Sequence, residues 1–218
     1  MKVKQPPLIR LVDDDPSVCE SLAFVLEVAG LQVKGYSSAL DFLAWDDRER
    51  EGCLLLDVRM PEMTGLELQR RLRSEGVDLP IVFLSAHGDI EMALRAVREG
   101  AVDFLVKPPR PETLIPALQR ACERHREIRR LKREREALDV VWEKLTQGER
   151  EAAQLVAKGL TNKEIAGVLD ISEEAVKSRR SAMLGKLDVR NAVEVAEFLR
   201  ERERLDATAE QFDAPTSV

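Results

Sequence analysis

The 218-residue chain has three cysteines, two histidines and few aromatic residues (4%). Cys19, Cys53 and Cys122 are widely spaced, form no Cys-x-x-Cys pair and have no histidine cluster beside them. They read as small buried hydrophobes of a reducing compartment, which excludes a disulfide scaffold and a thiolate zinc site. Scarce aromatics argue against a surface that stacks single-stranded RNA bases. No apolar stretch approaches the ~20 residues needed to cross a bilayer. The start, Met1-Lys2-Val3-Lys4-Gln5-Pro6-Pro7, lacks the apolar centre of a signal peptide. A cytoplasmic location without a membrane partner is expected. A formal charge of −6 argues against indiscriminate coating of nucleic acid, although residues 119–140 are locally basic.

What the chain does have is a carboxylate delivered by a buried strand. Cys53-Leu54-Leu55-Leu56-Asp57 is a short apolar run ending on an acid, and it breaks at once into the loop Val58-Arg59-Met60-Pro61-Glu62-Met63-Thr64-Gly65. Residues 8–118 alternate between such strands, at 8–12, 31–36, 53–57, 81–85 and 103–106, and amphipathic helical stretches. Five βα units with short connections predict a parallel sheet covered on both faces, in the flavodoxin-like order 2-1-3-4-5. Asp15-Pro16 marks a helix start.

Neither glycine nor proline occurs from Ala117 to Gln147. Over that stretch Leu114, Ala117, Ala121, Arg124, Ile128, Leu131, Arg135, Leu138, Trp142 and Leu145 keep a 3-4 spacing. The pattern predicts a helical linker over 112–144, with a seam able to pair as a coiled coil; a solvated helix joining two domains is the alternative. Beyond it the helices are short. Thr161-Asn162-Lys163-Glu164 is a capping box, Ser172 caps the next helix after a tight turn, and Asn191 caps the last. Two helices so joined form a helix-turn-helix. The second carries Lys177, Ser178, Arg179, Arg180 and Ser181 in its first turns and Lys186 near its end, with Val176, Met183, Leu184 and Leu187 as its buried stripe.

In a sheet of this kind, ligands bind at the carboxyl ends of the strands. Asp13, Asp14, Asp57, Ser85 and Lys107 all follow strands and would meet there. Three acids suit a hard cation such as Mg²⁺, which prefers oxygen ligands. Asp57 can serve as nucleophile, with Lys107 holding a phosphate oxygen and Ser85 donating to another.

Residues 8–118 resemble the receiver domain of two-component response regulators. The likeness lies in Asp13-Asp14, Asp57-x-x-Met60-Pro61-x-Met63-x-Gly65, Ser85-Ala86, Phe104 and Lys107-Pro108. Asp57-Val58-Arg59-Met60-Pro61 with His87-Gly88-Asp89 is similar to the FixJ group. Residues 145–204 resemble the LuxR-type helix-turn-helix, through Leu145-Thr146-x-x-Glu149-Arg150-Glu151, Gly159-x-Thr161-Asn162-Lys163-Glu164-Ile165-Ala166 and Ile171-Ser172-x-x-x-Val176-Lys177.

The resemblance implies a receiver at 1–118, a four-helix DNA-binding domain at 145–204 and a polar tail at 205–218. A sensor histidine kinase would supply the phosphoryl group to Asp57, with Mg²⁺ held by Asp13, Asp14, Asp57 and the Arg59 carbonyl. Ser85 and Phe104 would be the switch residues, and phosphorylation would bring two copies together. DNA contacts would come from Lys163, Lys177, Ser178, Arg179, Arg180, Ser181 and Lys186, at promoters or operators and in concert with RNA polymerase. Lys107-Pro108 is similar to the family's cis peptide, whereas Pro109, Ala175 and Arg179 depart from its usual residues. Such a protein is no enzyme beyond assisting its own phosphoryl transfer and dephosphorylation. The rival readings are an aspartyl-phosphate hydrolase and a receiver-controlled RNA- or protein-binding regulator. Against the first, Arg59 stands where such hydrolases carry an acid able to protonate a leaving group.

Overall fold

The computed structural model describes residues 5–86 and 90–213, without the side chains of residues 90–92 and 209–213. The sequence His87-Gly88-Asp89 lies outside the described residues. In chain order the elements are β1 (Leu8–Val12), α1 (Pro16–Val28), β2 (Gln32–Tyr36), α2 (Ala39–Trp45), β3 (Gly52–Asp57), α3 (Gly65–Ser74), β4 (Ile81–Ser85), α4 (Ile90–Arg98) and β5 (Asp103–Val106). They are followed by α5 (Pro111–Glu143), α6 (Gln147–Ala157), α7 (Asn162–Leu169), α8 (Glu173–Leu187) and α9 (Ala192–Asp213). Two compact units divide within α5, one holding the residues up to Arg129 and the other Arg130–Gln211.

The first unit is the expected parallel sheet, in the order β2-β1-β3-β4-β5. Side chains alternate along a strand, so each central strand feeds two cores. Leu54 and Leu56 of β3 join Phe83 and the α2 and α3 residues Phe42, Leu68 and Leu72 on one face. Cys53 and Leu55 join Leu22 and Leu26 of α1 and Leu114, Leu118 and Cys122 of α5 on the other. Because both faces are covered, β1, β3 and β4 are buried throughout, and this fixes where their carboxyl ends emerge.

At the opposite end of the sheet α5 is fastened by polar contacts. His125, fully buried, accepts a hydrogen bond from the Gly52 amide at 2.9 Å through Nδ1. Its Nε2 lies 3.2 Å from Asp78 Oδ1 and 3.2 Å from Arg129 Nε. Arg129 reaches Glu49 and the Arg48 carbonyl, each at 2.9 Å. Gly52 can be no other residue, since a Cβ there would lie 1.9 Å from the Leu8 carbonyl oxygen.

The expected seam on α5 is buried, but inside this chain. Leu114, Ala117 and Ala121 belong to the sheet's core. Trp142 and Leu145 belong to the core of the second unit. There α9 runs antiparallel to the end of α5: Asp139 pairs with Arg202 at 2.8 Å, Arg135 with Asp206 at 2.7 Å, and Trp142 stacks on Phe198 at 6.3 Å. Along these parts of the seam the cover comes from the same chain rather than from solvent. The heptad spacing records a buried stripe, and α9 supplies part of its cover. Residues 205–213, expected as a polar tail, continue α9, with Leu205 buried.

Capping builds the second unit as the sequence predicts. Thr161 and Glu164 form a capping box, and the Ser172 hydroxyl accepts from the Ala175 amide at 3.2 Å. Asn191 accepts from the Val193 and Glu194 amides at 2.9 and 3.0 Å. Asp170, at φ 53°, ends α7 in the left-handed conformation and gives the tight turn into α8. Val176, Met183 and Leu187 face the core, and Leu184 packs against it.

Candidate phosphoacceptor and DNA-reading sites

Parallel pairing places the strand ends in one row. β3 pairs with β1 on one side and β4 on the other, and β5 extends the row beyond β4. Asp13 follows β1, Asp57 ends β3, Ser85 ends β4, and Lys107 follows β5. Asp13, Asp57 and Ser85 are buried, and Asp14 is exposed. Lys107 Nζ stands 2.5 Å from Asp13 Oδ2 and 2.6 Å from Asp57 Oδ1, bridging the two acids. The other Asp57 oxygen accepts from the Arg59 amide at 2.9 Å. Asp13 Oδ1 accepts from the Asp15 amide at 3.1 Å.

Burial raises the Asp57 pKa, and the Lys107 hydrogen bond and charge only partly offset it. Lys107 has the reverse balance: burial disfavours its charge, but bonds to Asp13 and Asp57 outweigh burial and raise its pKa. The ammonium therefore stays charged between two acids. Each acid of Asp13, Asp14 and Asp57 offers an oxygen within 4.8 Å of the others. Hard oxygen donors so clustered fit Mg²⁺.

The loop after Asp57 is folded back beneath it. The Gly65 amide donates to the Val58 carbonyl at 3.0 Å, and a Cβ on Gly65 would stand 2.2 Å from the Asp57 carbonyl oxygen. Glu62 holds φ at 63°, and the peptide Lys107-Pro108 is cis. Phe104 is half-buried behind the site, its ring 6.3 Å from that of Phe83.

In the second unit Lys163, Lys177, Ser178, Ser181 and Lys186 are exposed, Lys177 pairing with Glu174 of its own helix at 3.3 Å. Three of the expected DNA contacts reach residues of other helices. Arg180 donates to Asn162 Oδ1 at 3.1 Å. The Arg179 guanidinium lies over Gly148, where a Cβ would come within 2.7 Å of its Cζ. Lys186 reaches both Glu149 oxygens, at 2.9 and 2.6 Å. Glu149 is itself the acid of a capping box with Thr146, whose amide donates to it at 2.8 Å. In the sequence Asn162 was visible only within a capping box and Glu149 only within the Leu145-Thr146-x-x-Glu149 motif; no local spacing announces that they also hold cations of α8.

Residues 9–119 match the family model described as response regulator receiver domain. Residues 143–199 match the one described as bacterial regulatory proteins, luxR family. The chain is 40% identical over 201 residues to the response regulator protein TmoT of Ectopseudomonas mendocina, covering 92% of this chain and 90% of that one. It is 36% identical to the transcriptional regulatory protein FixJ of Rhizobium meliloti, covering 84% and 90% of the two chains. The solved structure of the response regulator StyR superposes with a TM-score of 0.80 at 38% identity, over 90% of this chain and all of that one. No described helix is long and apolar enough to cross a membrane. With two family models in tandem and relatives alike over nearly their whole length, the chain belongs to the two-component response regulators that join a receiver domain to a LuxR-type DNA-binding domain and regulate transcription.

Proposed function

We propose that Asp57 accepts a phosphoryl group from a sensor histidine kinase and that α8 reads operator DNA, in a cytoplasmic protein. The bridge from Lys107 to Asp13 and Asp57 carries the first part. It places a cation against Asp57, a buried carboxylate that ends a strand, and against Asp13 beside it. Asp57 Oδ1 attacks phosphorus in line with the departing kinase imidazole. Lys107 follows the charge as it moves onto the phosphoryl oxygens, and Ser85 donates to one of them. Asp13, Asp14, Asp57 and the Arg59 carbonyl would hold Mg²⁺, which when bound neutralises the charge of the incoming phosphate. Ser85 and Phe104 then report the phosphate, the first by its hydroxyl and the second by turning inward toward Phe83. The receiver assists hydrolysis of its own aspartyl phosphate through the same residues.

The second helix of a helix-turn-helix lies in the major groove with its first turns at base edges. Lys177, Ser178 and Ser181 occupy that face of α8, with Lys163 at the first turn of α7 over the phosphates. Arg180 joins them while braced by Asn162, whereas Arg179 and Lys186 hold α8 to α6. Phosphorylation brings two copies onto paired half-sites, where they engage RNA polymerase. In functional terms the receiver spans 1–118, the helical linker 112–144 and the DNA-binding domain 145–204.

Incubation with a small phosphoryl donor and Mg²⁺ should add one phosphoryl group by intact mass. Asp57→Asn should abolish the gain, and a chelator should suppress it. Undiminished labelling of Asp57→Asn would refute the assignment.

A further inference from the structure

Cys53 and Cys122 lie 69 positions apart, yet their sulfurs are 3.6 Å from one another. Cys53 belongs to β3, four residues before Asp57, and Cys122 to α5. Both sit in the apolar core beside Leu55, Leu118 and Ala121. Cys53 also donates to the Leu118 carbonyl at 3.8 Å. Cys19 also packs against this core, but its sulfur donates to the Asp13 carbonyl at 3.4 Å, so the thiols in contact are Cys53 and Cys122.

We propose that Cys53 and Cys122 form a modification site at which a hydroperoxide converts the two thiols into a disulfide joining β3 to α5. Bond formation needs the sulfurs to close from 3.6 Å to about 2.05 Å. Cys122 is the attacking group. It is 5% exposed where Cys53 is fully buried.

The Cys122 thiolate attacks one peroxide oxygen. The O–O bond breaks, the second oxygen leaves with the Cys122 proton as water or an alcohol, and the sulfur becomes a sulfenic acid, oxidised by two electrons. Cys53 then attacks that sulfur. The S–S bond forms, the S–O bond breaks, and the hydroxyl leaves as water with the Cys53 proton. A peroxide is small enough to reach a nearly closed core, and burial keeps a second protein chain from competing for the sulfenic acid.

The full chain, reduced and then treated with hydrogen peroxide, should lose the mass of two hydrogen atoms. A peptide map should join the Cys53 and Cys122 peptides, and dithiothreitol should reverse the linkage. Cys122→Ala should abolish the loss and Cys19→Ala should leave it intact. The oxidised form should unfold at a higher urea concentration, because the closed loop restricts the unfolded chain. Gain of oxygen atoms without linkage, a link to Cys19, a link between chains or no change of mass would each overturn the proposal. The peptide map of the unsubstituted protein decides the matter even where Cys122→Ala fails to fold.

Discussion

The two sites are built on opposite plans. The acid pocket collects residues from four strand ends, and Lys107 is drawn inward between two carboxylates. The proposed reading face is a single helix, and its cations divide between Lys177, paired only within α8, and those reaching neighbouring helices. In the pocket, backbone pairing fixes which side chains meet, because a strand that ends in a buried sheet can end in only one place. On the helix, backbone position fixes only a side chain's direction. Whether a lysine is free depends on what the adjoining helices carry, as Glu149 decides for Lys186.

Removing the pocket's cation should have the largest effect. Lys107→Met should slow phosphoryl uptake on the order of 100-fold, as loss of one fixed charge facing a developing anion does. The rate of phosphorylation by intact mass measures it. A near-normal rate would mean the bridge is only a resting contact.

Next comes the scaffold under the pocket. Gly65→Ala must displace either the start of α3 or the Asp57 backbone, at a cost of about 1–3 kcal/mol. Urea denaturation would show it, and an unchanged midpoint would show that the loop yields freely.

The third test sets two lysines of α8 against each other. Lys177→Ala should cost roughly 1–3 kcal/mol of operator affinity and relax preference at one position. Lys186→Ala should leave the slope of affinity against salt unchanged while lowering the stability of the helical unit. A slope smaller by about one would instead make Lys186 a phosphate contact and erase the distinction drawn here.

The smallest effect is on pH. The Lys186 hydrogen bond, followed by the Thr146 amide, holds the Glu149 pKa below its ordinary 4.5. A depressed acid contributes its stability fully above 4.5 and loses it as pH falls through the folded-state value. Acid unfolding of the second unit should therefore begin at lower pH in Glu149→Gln, measured against its own neutral-pH stability.

Much of this architecture was legible because strand ends, caps and turns are local. Asp57 after an apolar run, Asp15-Pro16, Thr161 with Glu164 and Ser172 each fall where their chemistry predicts. What escaped depends on partners distant in sequence. The α5 seam announced a buried stripe but not that the sheet and α9 bury it. Spacing could not bring Cys53 to Cys122. Arg10 was indistinguishable from a surface cation, yet it lies fully buried on β1 and pairs with Asp46 at 2.7 Å.

The fastening of α5 beneath the sheet bears on where the chain can be cut. Severed after residue 118, the receiver would lose Ala121 and Cys122 from its core and leave the Gly52 amide without the His125 acceptor. Severed after Arg129, it would keep both, and with them the grip on Arg48 and Glu49. The shorter piece carries the whole chemical site and should still be the poorer protein, so the smallest autonomous receiver is defined by a histidine that takes no part in phosphoryl transfer.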